Sequence, residues 1–332
     1  MTHPIPPGTR DILPDEMREL RVLQAKLAAV FERFGYGEVA TPTVEYDEVL
    51  TRAGDVSGAP TAHRFFGAGG ELLAMRADMT VPIARLVANR YADAEPPLRF
   101  FYNARAYREV RPQRGQMGEF FPAGVELVGA GAPEGTVEVI EVLSAALDAA
   151  GLGRAVIGLG DAALYRQLLA ELGVADEEAM RVLGLLAGRD LVGLDAEVAR
   201  LDLSDAEREL LVAVPGLRGG PEVLERAREL GGEATARALA RLAETYDGIA
   251  ARGIADRVSL DLGLLRDLGY YTGAILEVYD PALGHVLGGG GRYDELMGRF
   301  GRPLPAEGFA LYLERLHIAQ AEEERIAGEG VG

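Results

Sequence analysis

The sequence predicts an α+β protein, a sheet flanked by helices and interrupted by a long helical insertion, and three observations carry that prediction. Phe100–Gly129 reads as two strands and a joining loop, with aromatics at 100, 101, 102 and 107 on the first strand. The second strand is apolar apart from Glu126. Asp15–Phe34 sets Leu20, Leu23, Leu27, Val30, Phe31 and Phe34 at three- and four-residue steps, the stripe of an amphipathic helix. From Ala162 to Gly253 the composition turns to Ala, Leu, Glu and Arg, and a cap at Ser204-Asp205-Ala206-Glu207 with breaks at the glycine pairs 219–220 and 231–232 divides it into helices.

In chain order, Gly35 closes the first helix as a C′ residue. Glu38–Tyr46 reads as one extended segment, and Pro42 within it marks an edge or an interface. Glu71–Met75 is a short strand that hands over to a helix near Val81-Pro82. Asp78 and Thr80 stand at that handover, where such side chains serve equally as caps or as ligand contacts. Strand Phe100–Val110, loop Arg111–Glu119 and strand Phe120–Val128 follow, then a helix over Pro133–Ala150 stopped by Gly151. Ala155–Gly160 is a strand, and strand character returns after the insertion at Arg257–Leu262 and Thr272–Tyr279. Gly288–Gly291, with Arg292-Tyr293-Asp294, reads as a glycine turn that lets backbone approach closely. Glu307–Leu316 is a small-residue strand running into a helix, and the last residues read as a solvated acidic tail.

Composition narrows the function. Hydrophobic content of 48% and charged content of 26% suit a folded chain with a large core. There are no cysteines, which removes disulfides and thiol chemistry, and His3, His63, His285 and His317 lack metal-ligand spacing. No catalytic residue, metal or cofactor is expected. Net charge of −18 speaks against a broad nucleic-acid footprint. No apolar run is long enough for a membrane and the N-terminus has no apolar signal core, so a cytoplasmic location is expected. A nine-residue hairpin loop holding Arg111 and Arg114 exceeds what closure needs and suits an anion, or else is a solvated edge. Arg266 with Tyr270 and Tyr271 suits a carboxylate and a ring, or is a surface arginine beside two half-buried tyrosines.

In this order the segments resemble the catalytic core of class II aminoacyl-tRNA synthetases, specifically histidyl-tRNA synthetase. Pro7-Gly8-Thr9-Arg10-Asp11-Ile12-Leu13-Pro14 is similar to that enzyme's N-terminal signature. The first helix with its proline segment resembles the dimer-forming first motif, Tyr107–Gly129 the second, and Gly308–Arg315 the third. Arg266 with Tyr270-Tyr271, and Gly289–Asp294, resemble the histidine-specific signatures. The implied fold is an antiparallel sheet flanked by helices. Its expected divisions are core 1–160, helical insertion 161–255, core 256–320 and tail 321–332.

Departures from the synthetase pattern set the expected function. Val110 stands for an acidic residue, Gln116 for a phosphate-binding arginine, and Pro122 for a glutamine that meets the amino acid. Tyr312 stands for a glycine that leaves room for adenine, and a tyrosine there overpacks or fills the space. Only sixteen residues follow Leu316, so no anticodon-binding domain is expected. Arg76-Ala77-Asp78-Met79-Thr80 is close to the Arg-Pro-Asp-Met-Thr of the regulatory subunits of ATP phosphoribosyltransferase, and the whole chain resembles them.

That resemblance implies a non-catalytic homodimer within a hetero-oligomer, expected to be a hetero-octamer, with the short-form catalytic subunit. It also implies a part in the first step of histidine biosynthesis and in feedback by L-histidine. Arg108 and Arg266 would address the effector's carboxylate, and Asp78 and Thr80 its ammonium. Glu126 and Tyr271 would read the imidazole, with Tyr270 and Tyr293 lining the pocket. The rival expectations are a free-standing ATP-dependent amino-acid-activating enzyme and a scaffold with no ligand.

Overall fold

The computed structural model describes residues 4–54, 62–109, 117–265, 270–281 and 283–329. In chain order, α1 (Pro14–Arg33) leads to β1 (Gly37–Glu38), β2 (Val44–Tyr46), α2 (Asp47–Thr51), β3 (Arg64–Phe66), β4 (Leu72–Met75) and α3 (Thr80–Arg90). Next come β5 (Leu98–Asn103), β6 (Ala106–Tyr107), β7 (Glu119–Phe120), β8 (Pro122–Val128), α4 (Glu134–Ala149) and β9 (Val156–Asp161). The insertion holds α5 (Leu164–Glu171), α6 (Asp176–Ala187), α7 (Leu191–Val198), α8 (Asp205–Ala213), β10 (Arg218–Gly219) and α9 (Glu222–Ala251). The chain returns through β11 (Val258–Asp261), β12 (Ala274–Tyr279), β13 (Val286–Arg292), α10 (Leu296–Arg299), β14 (Ala306–Tyr312) and α11 (Leu313–Glu329).

Nine strands form the main sheet in the order β1-β5-β8-β14-β13-β12-β9-β11-β10. Its middle is antiparallel, and only β1 with β5 and β9 with β11 run parallel. Strand alternation sorts side chains to two faces. Phe101, Val125, Leu127 and Phe309 face α1 and α4 in one continuous core, where Leu27 and Phe31 of α1 are wholly buried. Phe100, Tyr102 and Ile275 face the other way, with α3 and the tyrosines at 270, 271 and 293.

The first helix spans Pro14–Arg33, with proline in its first turn and Gly35 at φ 82 just past its end. The Ser204 capping box forms as its spacing predicts.

Five expectations are corrected. Glu38–Tyr46 is two strands: β1 joins the main sheet beside β5, while β2 joins β4 in a separate three-stranded sheet, with Pro42 in the break between them. The glycines at 219–220 do not simply separate helices, because Gly219 belongs to β10 and pairs with Leu260 of β11. Those at 231–232 do not end a helix but kink α9, through Gly232 at φ 58 and ψ −136, a conformation suited to glycine. Gly288–Gly291 is not a turn but the body of β13, bonded to β12 and β14. A Cβ at Gly288 or Gly290 would meet the carbonyls of Ala310 or Gly308, so glycine is what lets these strands lie together. The acidic stretch from 321 continues α11 as helix to Glu329.

Candidate effector cavity

The hairpin after β5 is where sheet and site meet. It does not run straight: β5 ends at Asn103, β8 begins at Pro122, and β6 with β7 forms a small ribbon of its own. Distant groups capture the backbone at the break. The Phe121 N–H donates to the Glu314 carboxylate at 3.0 and 3.3 Å, and the Leu313 N–H to the Phe121 carbonyl. The ribbon thereby stands off the sheet and walls a cavity of about 500 Å³, its open mouth included.

Seven residues singled out in sequence line this one cavity: Asp78, Thr80, Arg108, Glu126, Tyr270, Tyr271 and Tyr293. Pro122 and Tyr312 line it too. Arg266, Val110 and Gln116 lie outside the described residues.

Glu126 sits on the floor, 1% exposed, on the face of β8 opposite Gly308 of β14. A Cβ at Gly308 would meet its Oε2, so the glycine makes room for the carboxylate. The Thr80 hydroxyl donates to Glu126 Oε1 at 2.7 Å, and the Tyr293 hydroxyl to Oε2. No arginine or lysine among the described residues pairs with it. Burial pushes the Glu126 carboxyl up to about 8, against the pull of those two donors. Burial likewise raises the phenols of Tyr102, Tyr270 and Tyr293.

Asp78 caps α3, its Oδ1 accepting from the Val81 N–H at 3.0 Å, and burial raises its carboxyl while Arg108 pulls it back. Arg108 donates its Nε–H to the Ala77 carbonyl at 3.0 Å and lies 4.5 Å over the Phe120 ring. Tyr270 packs against Tyr271 at 5.1 Å and edge-on to Tyr293 at 5.7 Å, giving the cavity an aromatic wall. Among its described lining residues the carboxyls are those of Asp78 and Glu126 and the one guanidinium is Arg108, so a ligand's cationic pole would meet a carboxyl that can give up its proton to it.

Tyr312 closes the end beside the ribbon. Its ring stands edge-on to Phe120 at 5.5 Å and 81°, with the Arg315 guanidinium 4.7 Å from its centre. The chain therefore supplies its own ring between a phenylalanine and an arginine. Sequence reasoning missed Tyr102 and Phe120 as cavity walls. Both read as strand aromatics, and the usable signal was their alternation with Phe101 and Phe121, which face the other side.

No helix among the described residues is long and apolar enough to cross a membrane, and no group of three or more His, Asp or Glu is placed to hold a metal.

The sheet, its flanking helices and the cavity in its middle define a class II synthetase-like domain, and the histidyl-tRNA synthetase family model matches residues 8–316. More specific likenesses come from whole proteins. The ATP phosphoribosyltransferase regulatory subunit of Moorella thermoacetica is 42% identical over 320 residues, covering 96% of this chain and 82% of that one. That of Symbiobacterium thermophilum is 42% identical over 327 residues, covering 98% and 82%. A crystal structure from Bacillus halodurans, described as an ATP phosphoribosyltransferase regulatory subunit/histidyl-tRNA synthetase, superposes with a TM-score of 0.89 at 34% identity, covering 96% and 84%. The chain belongs to the family of ATP phosphoribosyltransferase regulatory subunits.

Proposed function

We propose that this chain regulates a short-form ATP phosphoribosyltransferase catalytic subunit in the first step of histidine biosynthesis, and that its cavity holds L-histidine as the feedback effector. The observation that carries the effector is Glu126, a buried carboxylate held by two hydroxyls and facing a cavity walled by tyrosines. An imidazole supplies the N–H donor or cation that this carboxylate lacks, and its flat ring suits the aromatic wall. Asp78, which also lines the cavity, would take the ammonium, and Arg108, with Arg266, the carboxylate. Thr80 gives its hydroxyl proton to Glu126 and so orients that carboxylate, while its oxygen stays an acceptor that would join Asp78 in meeting the ammonium. Tyr312 fills the neighbouring space with a protein ring, which supports a site that takes an amino acid without activating it. The proposed setting is cytoplasmic, as a homodimer within a hetero-octamer.

The test mixes the chain with its cognate catalytic subunit and measures phosphoribosyl transfer with and without L-histidine, beside calorimetry of histidine binding to the chain alone and in the complex. Activity that becomes histidine-sensitive only with this chain present is the expected result. No heat of binding in either setting overturns the cavity assignment. ATP–pyrophosphate exchange above background would point to an amino-acid-activating enzyme instead.

A further inference from the structure

The cavity shares a wall with a second, outward-facing cleft, and the N-terminal segment crosses that cleft. Along the strand from Glu119 to Pro122, Phe120 and Pro122 line the cavity while Glu119 and Phe121 line the cleft. The cleft is about 970 Å³ with its open side included, and Ile5, Arg10 and Met117 also line it. A continuous run of backbone hydrogen bonds joins the two spaces. The Arg108 N–H donates to the Gly118 carbonyl at 2.8 Å, and the Gly118 N–H donates to the Gly8 carbonyl at 2.7 Å. The Glu119 N–H reaches the same Gly8 carbonyl at 3.3 Å.

The segment Pro6–Ile12 is held as a fixed strap. Gly8 takes φ 77, and Thr9 closes the turn through its hydroxyl to the Pro6 carbonyl at 2.7 Å. Arg10 forks onto Glu16 in the first turn of α1, with Nη1 to Oε2 at 2.7 Å and Nη2 to Oε1. On the same cleft, Glu314 of α11 holds the Phe121 N–H. Strap and α11 thus hold the chain around the ribbon from the cleft side, while the cavity side carries Arg108.

We infer that the strap Pro6–Ile12 is the output arm of the cavity: a ligand that draws on Arg108 and Phe120 tightens the β6–β7 ribbon, and Gly118 passes that to Gly8 and the strap. This rests on the histidine reading of the cavity. A ligand biases the strap only by favouring one state of this bonded run over another, so its signature is a change in local opening rather than a large displacement.

Hydrogen exchange of the full chain, with and without saturating L-histidine, reads this directly. Exchange at the Gly118 and Glu119 amides is expected to slow by about threefold or more on binding, together with that at Thr80 and Val81 inside the cavity. In Arg10→Ala, which frees the strap from α1, the histidine-dependent protection at 118 and 119 should fall to about half while the calorimetric affinity moves by less than about threefold. The melting temperature of that variant checks that its fold is intact. Protection at Thr80 and Val81 with none at 118 and 119, or protection there untouched in Arg10→Ala, overturns the inference while leaving the cavity assignment standing. No heat of binding and no protection anywhere sinks the histidine reading, and this inference with it.

Discussion

Two buried carboxylates lie on adjacent strands of the same sheet, yet they are built to opposite ends. Glu126 of β8 and Glu307 of β14 face opposite sides, because Glu126 pairs with Gly308 and Glu307 with Leu127. Glu307 points under α4, where the Thr136 hydroxyl donates to its Oε2 at 2.6 Å and the Arg292 guanidinium lies 3.0 Å away. Arg292 in turn meets Asp294 at 2.8 Å. Burial pushes the Glu307 carboxyl up to about 7, and the arginine and the hydroxyl hold it lower than burial alone would. Glu126 is buried to the same degree but has hydroxyls and no described cation. Glu307 carries its countercharge within the fold and so serves the fold. Glu126 has no such cation beside it among the described residues and keeps its proton up to about 8.

Breaking the self-contained side should have the largest effect. Glu307→Ala leaves the Arg292 guanidinium buried, 3% exposed, with the half-exposed Asp294 as its remaining carboxylate. Removing one partner of a buried pair costs about 3–5 kcal/mol when the charge left behind is uncompensated, so with Asp294 in place a loss at the lower end, about 3 kcal/mol, is expected. Urea unfolding of the variant should show a loss of that size. A loss below about 1 kcal/mol would mean the two carboxylates are energetically alike and that the contrast is wrong.

Removing the ionisable carboxyl on the other side should act in the reverse direction, by an amount that grows as pH rises above about 4.5. The Glu126 carboxyl is raised from 4.5 to about 8. Between these values the folded chain keeps a proton that the unfolded chain has released, so stability falls as pH rises through that window. Glu126→Gln cannot ionise and should be spared this loss, by at most about 1.4 kcal/mol per pH unit. Melting curves of parent and variant from about pH 5 to pH 9 should therefore separate in the variant's favour as pH rises. A gap that stays constant over that range would show that no buried proton is involved.

How much of this was legible in sequence depends on how far apart the partners lie. The helix at Pro14–Arg33 could be read directly, because its buried residues repeat along one stripe. The hairpin was visible, but its break was not, since the group that captures Phe121 N–H lies 193 residues away at Glu314. Glu307 stood in sequence only as the first residue of a strand, and its hydroxyl partner Thr136 is 171 residues distant. Eight scattered residues were assigned to one site through family resemblance, which no periodicity would have supplied, and the seven that are described line one cavity. The glycines of β13 misled for a physical reason. Glycine marks close backbone approach, and here that approach is between neighbouring strands rather than in a turn.

Asp78 belongs to both sides of the contrast and can be divided. Its Oδ1 caps α3 at the Val81 N–H, a task that needs only an oxygen, while its charge faces a cavity that the proposed ammonium would enter. Asparagine caps about as well as aspartate, whereas alanine forfeits about 1 kcal/mol. Asp78→Ala should therefore lose about that much stability, and Asp78→Asn should stay within about 0.5 kcal/mol of the parent. Both should weaken histidine binding by about tenfold or more, because a charge-assisted contact is lost in each. Unfolding curves and calorimetry on the pair separate the two roles. If Asp78→Asn binds histidine as tightly as the parent, the residue is a cap alone, and the cavity's cationic preference must come entirely from Glu126.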